Sequence, residues 1–544
     1  MNRCILTCLT LAGVGLWLLQ GLALAASPDV SSHSVSAPAS ATSLAPTAPR
    51  IDLATAIGMT LEKNPNIRVQ RSYVDYYRGT YLQAVGAFDY DVKSKAERDK
   101  SRTPAFASVN GTNSLYNTFA DNLTYQLSVA KKLRNGILIT PQASVSRALN
   151  EAPNEVPSVS SVIAFTVTIP LLQGLGIQVA TASERGNRVL MQAYDCAYRH
   201  TLSLEIMNTV AYYWQCWGAE QNVRINRETE ERAAQLVTLT RKLVTGYLKP
   251  AAQVQQAIAN RDQATANRLA AEKKFIQAMQ QLAQEMGLDE TSIVNAPITL
   301  ESSPELPDIP GISTEQTHLL IAAALVNRLD LQSLRRQSEA YGILADGSRN
   351  QMLPALNLNL GGGFNGVAED TDAPAYGRAL GDNLQGLVSG SLSLDWSIQN
   401  NTARGAFIAT RSQRDRYQAA ADQLLIQIAS GVMTDVSSLE RTVAEWRKRR
   451  DAARYYLQAV NDQEKMFKLG MATLVDMLST QDSLAQAQVN EISARVSGLI
   501  ALVQLRFDMG QLWRPSTSNN LCSMDVADLL KVPPAAGAHP ASGD

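Results

Sequence analysis

The sequence predicts a mixed α and β fold in which amphipathic strands join unusually long helices, and it predicts that order twice. Three observations carry this. Several stretches alternate apolar and polar residues with period two. Two long stretches keep helical periodicity without a proline. The two halves also open alike, with "LEKNPNIRVQ" from Leu61 and "ALVNRLDLQS" from Ala324. Asn64-Pro65-Asn66-Ile67 aligns with Arg328-Leu329-Asp330-Leu331, and in each half a polar turn precedes an amphipathic helix.

The strands come first. In "SVIAFTVTIP", Ile163, Phe165, Val167 and Ile169 share one face, and Ala164, Thr166 and Thr168 the other. In "SGSLSLDWSI", Leu392, Leu394, Trp396 and Ile398 oppose Ser391, Ser393, Asp395 and Ser397. "PALNLNL" sets Leu356, Leu358 and Leu360 against Asn357 and Asn359. Leu123–Ser146 reads as a hairpin turning at Asn135-Gly136, and "FDYDVKS" from Phe88 as a further strand. That makes four strands before the first long helix. A soluble sandwich alternates in the same way, with its apolar face inward. The small uncharged residues of the other face, together with the N-terminus, point instead to a transmembrane barrel.

That N-terminus has Arg3, an apolar run from Leu9 to Ala25 and a small-residue "ALA" end, the pattern of a signal peptide over 1–25. A membrane-anchoring helix is the competing reading. Residues 26–50 are rich in Ser, Ala and Pro and read as a disordered leader. Residues 51–311 form the first repeat, 312–512 the second, and 513–544 a flexible tail.

The long helical patterns run from about Gln178 to Leu243 and from about Thr402 to Leu469. At 1.5 Å per residue each reaches ~100 Å, whereas globular helices average about 11–12 residues. A shorter helix returns after Gly246 and after Gly470. In the last one Leu474, Leu478, Ala485, Val489, Ile492, Val496, Leu499, Val503 and Phe507 form a coiled-coil seam. Gly246 and Gly470 are read as the turns at the hairpin tips, where a positive φ suits glycine. A helix kink is the alternative. Pro250 suits the first turn of the returning helix.

Forty-nine basic and 50 acidic residues give a net charge of -1, so there is no footprint for nucleic acid. Cys196 and Cys216 fall on one helix ~30 Å apart, beyond the reach of a disulfide. His33, His200, His318 and His539 show no metal-ligand spacing. No phosphate loop, nucleophile elbow or metal cluster is present in the sequence, so neither an enzyme nor a cofactor is expected.

The duplicated order of elements, with "NPNI", "RLDL", "MLPALNLNL", "TVTIPLLQG" and "LGMATLVDMLSTQDSLAQAQ", resembles the TolC-type outer membrane efflux proteins of Gram-negative bacteria over roughly Ile51 to Leu512. The resemblance implies a homotrimer with strands in outer-membrane lipid and a periplasmic α-helical barrel. It also implies a periplasmic adaptor and an inner-membrane pump or exporter as partners. Gly287–Gly311 would lie in a belt around the tunnel. Gly470 would match the family's turn glycine and Asp476 the first of two lumen-facing aspartates. Ser479 stands where the second would be, and Ala472 where one member has a locking arginine. Three Asp476 carboxylates on an axis would favour cations. The family pattern wants two strands before the long helix, so the extra hairpin widens the barrel or stands outside it. The reading from another class is a secreted, adhesin-like coiled-coil protein without a pore.

Overall fold

The structure is a computed structural model. It describes residues 50–109, 112–150, 156–246, 250–288, 299–300, 306, 311–382, 384–469 and 471–512. The signal peptide, all but the last residue of the leader, the C-terminal tail, Gly470, most of Gly287–Gly311, Cys522, His33 and His539 lie outside the described residues.

The chain opens with β1 (Arg50–Ile51), which pairs in parallel with β6 (Thr299–Leu300). Asp52 then caps α1 (Leu53–Lys63) by accepting the Thr55 N–H at 2.9 Å. Asn64 ends α1 and caps α2 (Pro65–Gly86), with Pro65 in the first turn, where a missing N–H costs nothing. Four strands follow: β2 (Tyr90–Val109), β3 (Thr112–Lys132), β4 (Leu138–Asn150) and β5 (Ser158–Pro170). The expected hairpin turn at Asn135-Gly136 is present. Gly136 has φ +98°, and a Cβ there would strike the Gly174 carbonyl.

After the short α3 (Ile177–Ala180) come the first long helix, α4 (Ala182–Thr245), and α5 (Ala252–Glu285). The second half runs α6 (Thr314–Asn327), α7 (Leu329–Asn350), β7 (Ala355–Glu369), α8 (Ala373–Gly381), β8 (Gln385–Asp395), α9 (Asn401–Lys468) and α10 (Leu474–Asp508). α8 lies between β7 and β8. Asp372 caps it, accepting the Ala375 N–H at 2.9 Å.

The strands form one antiparallel sheet in the order β2-β3-β4-β5-β7-β8. The extra hairpin therefore does not stand apart. It joins the same ladder as the other strands.

α4 and α9, with 64 and 68 residues, reach ~95–100 Å. Beyond the strands, the main core gathers Trp214, Trp217, Leu282, Leu331, Leu439 and Leu499 from both halves. A second cluster holds the far end: Leu236 and Val237 of α4, Ala257 of α5, Phe467 of α9, and Leu474, Met477 and Leu478 of α10. Much of the expected seam on α10 is buried. Between Leu478 and Ala485, Gln481 is buried as well.

Two expectations about turns need correction. Gly246 has φ -78°, so it does not take the left-handed conformation expected of it. Pro250 precedes the N-cap Ala251 rather than entering the first turn of α5, and its carbonyl accepts the Gln253 N–H at 3.1 Å. The positive φ values fall at the opposite ends of the returning helices, at Gly287 (+66°) and Gly510 (+65°).

Candidate transport path

The register sorts the sheet into two faces. Val167 pairs with Leu360, Phe165 with Gly362 and Ile163 with Phe364; Leu358 pairs with Leu392 and Leu356 with Leu394. All lie on one face. It continues through Ala143 and Val145 of β4 to Tyr125, Leu127 and Val129 of β3 and Val92 of β2. Ile163, Phe165, Leu392, Leu394 and Trp396 are exposed on the single chain, and Val167 and Ile169 half-buried. The opposite face carries Thr166, Thr168, Asn357, Asn359, Ser391 and Ser393. Thr168 donates to Asn359 across that face at 2.9 Å.

At the far end of the helices, Thr473 and Asp476 form a capping box. Asp476 N–H donates to Thr473 Oγ1 at 3.2 Å, and Thr473 donates back to the carboxylate from its N–H at 3.2 Å and from Oγ1 at 2.6 Å. These hydrogen bonds hold the Asp476 carboxyl below its ordinary pKa. Asp476 and Ser479 are exposed, whereas Ala472 is buried in the tip cluster. Asp482, one turn further on, is pushed above the ordinary range by burial, with Asn260 of α5 opposing through a hydrogen bond.

Nearer the strands, each half buries a carboxylate pair. In the second half, Arg328 binds Asp330 at 2.6 Å and Asp508 at 2.5 Å and lies 5.1 Å from the Phe507 ring centre. Burial disfavours the Arg328 charge, but the two carboxylates outweigh it and raise its pKa. Asp330 is likewise disfavoured by burial, yet held low by Arg328 and His200. His200 lies 3.7 Å from Asp330, and its pKa is lowered mainly by burial, with Asp330 opposing. Asp435 of α9 faces Asp508 and is pushed well up, first by burial and then by sharing a hydrogen bond with that acid. In the first half, Asn64 Nδ2 donates to the Glu285 carbonyl at 2.9 Å, and Asn66 reaches Glu205 at 3.3 Å. Glu285 is pushed up by burial and by Glu205.

Asn64 and Arg328 are the residues aligned from sequence, so their neighbourhoods correspond. The glycines correspond too. A Cβ on Gly287 would come within 2.5 Å of the Lys63 carbonyl oxygen, and one on Gly510 within 2.9 Å of that of Asn327. The acidic pairs escaped the sequence reading. Their signal was an acid at a helix position whose neighbours one turn away are apolar, such as Asp508 beside Leu505.

The outer membrane efflux protein family matches residues 320–511. That segment belongs to the family. The matched segment runs from within α6 to the end of α10 and includes the capping box, Arg328 and the strands β7 and β8. Its family is one of efflux proteins rather than enzymes. Solved structures with the same fold extend the likeness to nearly the whole chain. The outer-membrane channel OprN matches at 14% identity, covering 84% of this chain and 90% of its own, with a TM-score of 0.62. The Campylobacter jejuni CmeC outer membrane channel matches at 14% identity, over 86% and 87%, with a TM-score of 0.62. The open state of the Neisseria gonorrhoeae MtrE outer membrane channel matches at 14%, over 86% and 91%, with a TM-score of 0.60. At such identities the likeness concerns the fold. A search of curated protein sequences returns no match. No described helix is long and apolar enough to cross a membrane.

Proposed function

We propose that the chain is one subunit of a homotrimeric outer-membrane duct, the exit of a tripartite efflux pump or type I secretion system. The observation that carries this is the sheet. It has one apolar face and one polar face, and it is continuous with helical hairpins ~100 Å long. Among the described strands β2 and β8 have no outer neighbour, and open edges are prohibitive in lipid. Pairing β2 of one subunit with β8 of the next closes the wall. With six strands per chain, three chains supply eighteen strands. The apolar face that runs on from β5 through β4 to β3 favours this wider barrel.

In this reading Ile163, Phe165, Val167, Ile169, Leu392, Leu394 and Trp396 face lipid. The two halves are copies of one unit, and their coiled-coil helices build the periplasmic tunnel. The tips, with Gly246 and Gly470, meet a periplasmic adaptor, and beyond it stands an inner-membrane pump or exporter. Asp476 supplies a ring of three carboxylates at the mouth, with Ser479 one turn on. Ala472, buried, lends the mouth no polar lock. An adhesin-like coiled coil without a pore would not need the sheet's apolar face.

Single-channel conductance of the purified protein in planar bilayers tests this. Pores are expected, with a wild-type cation preference that Asp476→Asn reduces while leaving a side chain able to cap α10. Pores insensitive to that change would refute the ring and keep the duct. Detergent-solubilised trimers that never form pores would refute the duct.

A further inference from the structure

The apolar face ends abruptly on β2–β4, away from the helices. Arg98 pairs with Leu123 and Leu123 with Arg147; Lys100 pairs with Asp121. These residues therefore continue the face that carries Val92, Leu127 and Val129. Asp121 is buried beneath three cations, with Arg98 at 2.6 Å, Lys100 at 3.7 Å and Arg147 at 3.9 Å. Arg102 follows on the same face, 6.0 Å from the Phe119 ring centre. Asp121 is the single acid at the alternating positions on this face of β2–β4. One carboxylate cannot neutralise four cations. Arg147 Nε is buried without a hydrogen-bond partner, while Arg98 and Lys100 remain about half exposed.

From Ile169 to Val159 the face runs ~33 Å along β5, which a tilted strand reduces to roughly the 25 Å of a membrane barrel's apolar band. The cations sit in the row of Val159, at its outer border. Lipid phosphates lie at that level. On β5 and β7 the same row is covered by α8, whose Ala375 and Ala379 pack on Val159 and Ala368. It stays open on β2 and β3.

We propose that Arg98, Lys100 and Arg147 bind the phosphate of a phosphorylated glycolipid of the outer leaflet. This rests on the outer-membrane reading above. Asp121 holds the three cations together, and the lipid phosphate supplies the charge that Asp121 leaves unmatched.

Native mass spectrometry of the full-length protein in detergent tests this, with diphosphoryl lipid A, its dephosphorylated form and inorganic phosphate as probes. Wild type should bind diphosphoryl lipid A at least tenfold more tightly than the dephosphorylated form. The double variant Arg98→Gln/Lys100→Gln, and Arg147→Gln separately, should lose about that factor, while Arg147→Lys keeps most of it. Equal binding of both lipids, or unchanged binding by the Gln variants, would overturn the site. Inorganic phosphate binding as tightly as the lipid would make it a free-anion site and overturn it too. Pore formation by the Gln variants keeps the duct reading separate, because a duct without this site still conducts.

Discussion

Arg328→Met should be among the most damaging substitutions outside the sheet. The guanidinium is 9% exposed and sits between Asp330 and Asp508, each 18% exposed, with Asp435 behind. Removing it leaves three carboxylates in one buried region. Breaking a buried pair by deleting one partner costs about 3–5 kcal/mol, and the methionine stem offsets little of that. The pH dependence follows from the shifts. Asp435 is raised, so the folded state holds its proton longer than the unfolded state. Stability therefore falls as pH rises from the ordinary carboxylate range toward the raised value. Asp330 is lowered, so its contribution is present above the ordinary range and is lost as pH falls through the lowered value. Without Arg328 the alkaline loss steepens. Denaturation midpoints of the purified protein at about pH 5 and about pH 8 should show a deficit that is larger at the higher pH. Adding Asp435→Asn should recover more than it gives in wild type. A deficit below about 1 kcal/mol, or one equal at both pH values, would refute the reasoning.

Gly287→Ala and Gly510→Ala should each cost about 1–2 kcal/mol from the left-handed backbone alone, with more at Gly287 from its closer carbonyl, whereas Gly79→Ala, in open space on α2, should gain up to about 1. Midpoint shifts of opposite sign check this. Phe165→Lys or Leu392→Lys should destabilise folding into lipid vesicles by about 2–4 kcal/mol, and Thr166→Lys on the other face by much less. Burial pushes the Cys216 thiol up to about 12. A thiol reagent at mildly alkaline pH should modify it only as the protein unfolds, and rapid labelling of the folded protein would contradict its placement.

Strand alternation and proline-free periodicity made the two long helices and the five apolar-faced strands legible, because both signals are local. The length of β2 was not. Its run from Lys93 to Arg102 is charged on both faces, and only pairing with β3 marks it as strand. The tip glycine was misread because sequence places a turn without fixing its φ; Gly246 has φ -78°, whereas Gly287 and Gly510 take positive φ and each meet a backbone carbonyl that leaves no room for a Cβ. The Thr473–Asp476 box was readable as a Thr followed three residues later by Asp, yet the resemblance drew attention to Asp476 as a gate acid instead. The buried acids were illegible, since their partners lie on other helices far away in sequence.

The strand order also sets a timetable for folding. Every neighbouring pair in the sheet is a local hairpin except β5–β7, where Thr168 meets Asn359 across 191 residues. Loop closure makes that pairing the slow one. β2 to β5 complete their ladder early, and β5 then presents a bare edge until the whole first helical hairpin and α7 have been made. Rate limitation and misassembly both concentrate at that seam, so a folding factor that shields the edge of β5 would raise yield more than one acting on the helices.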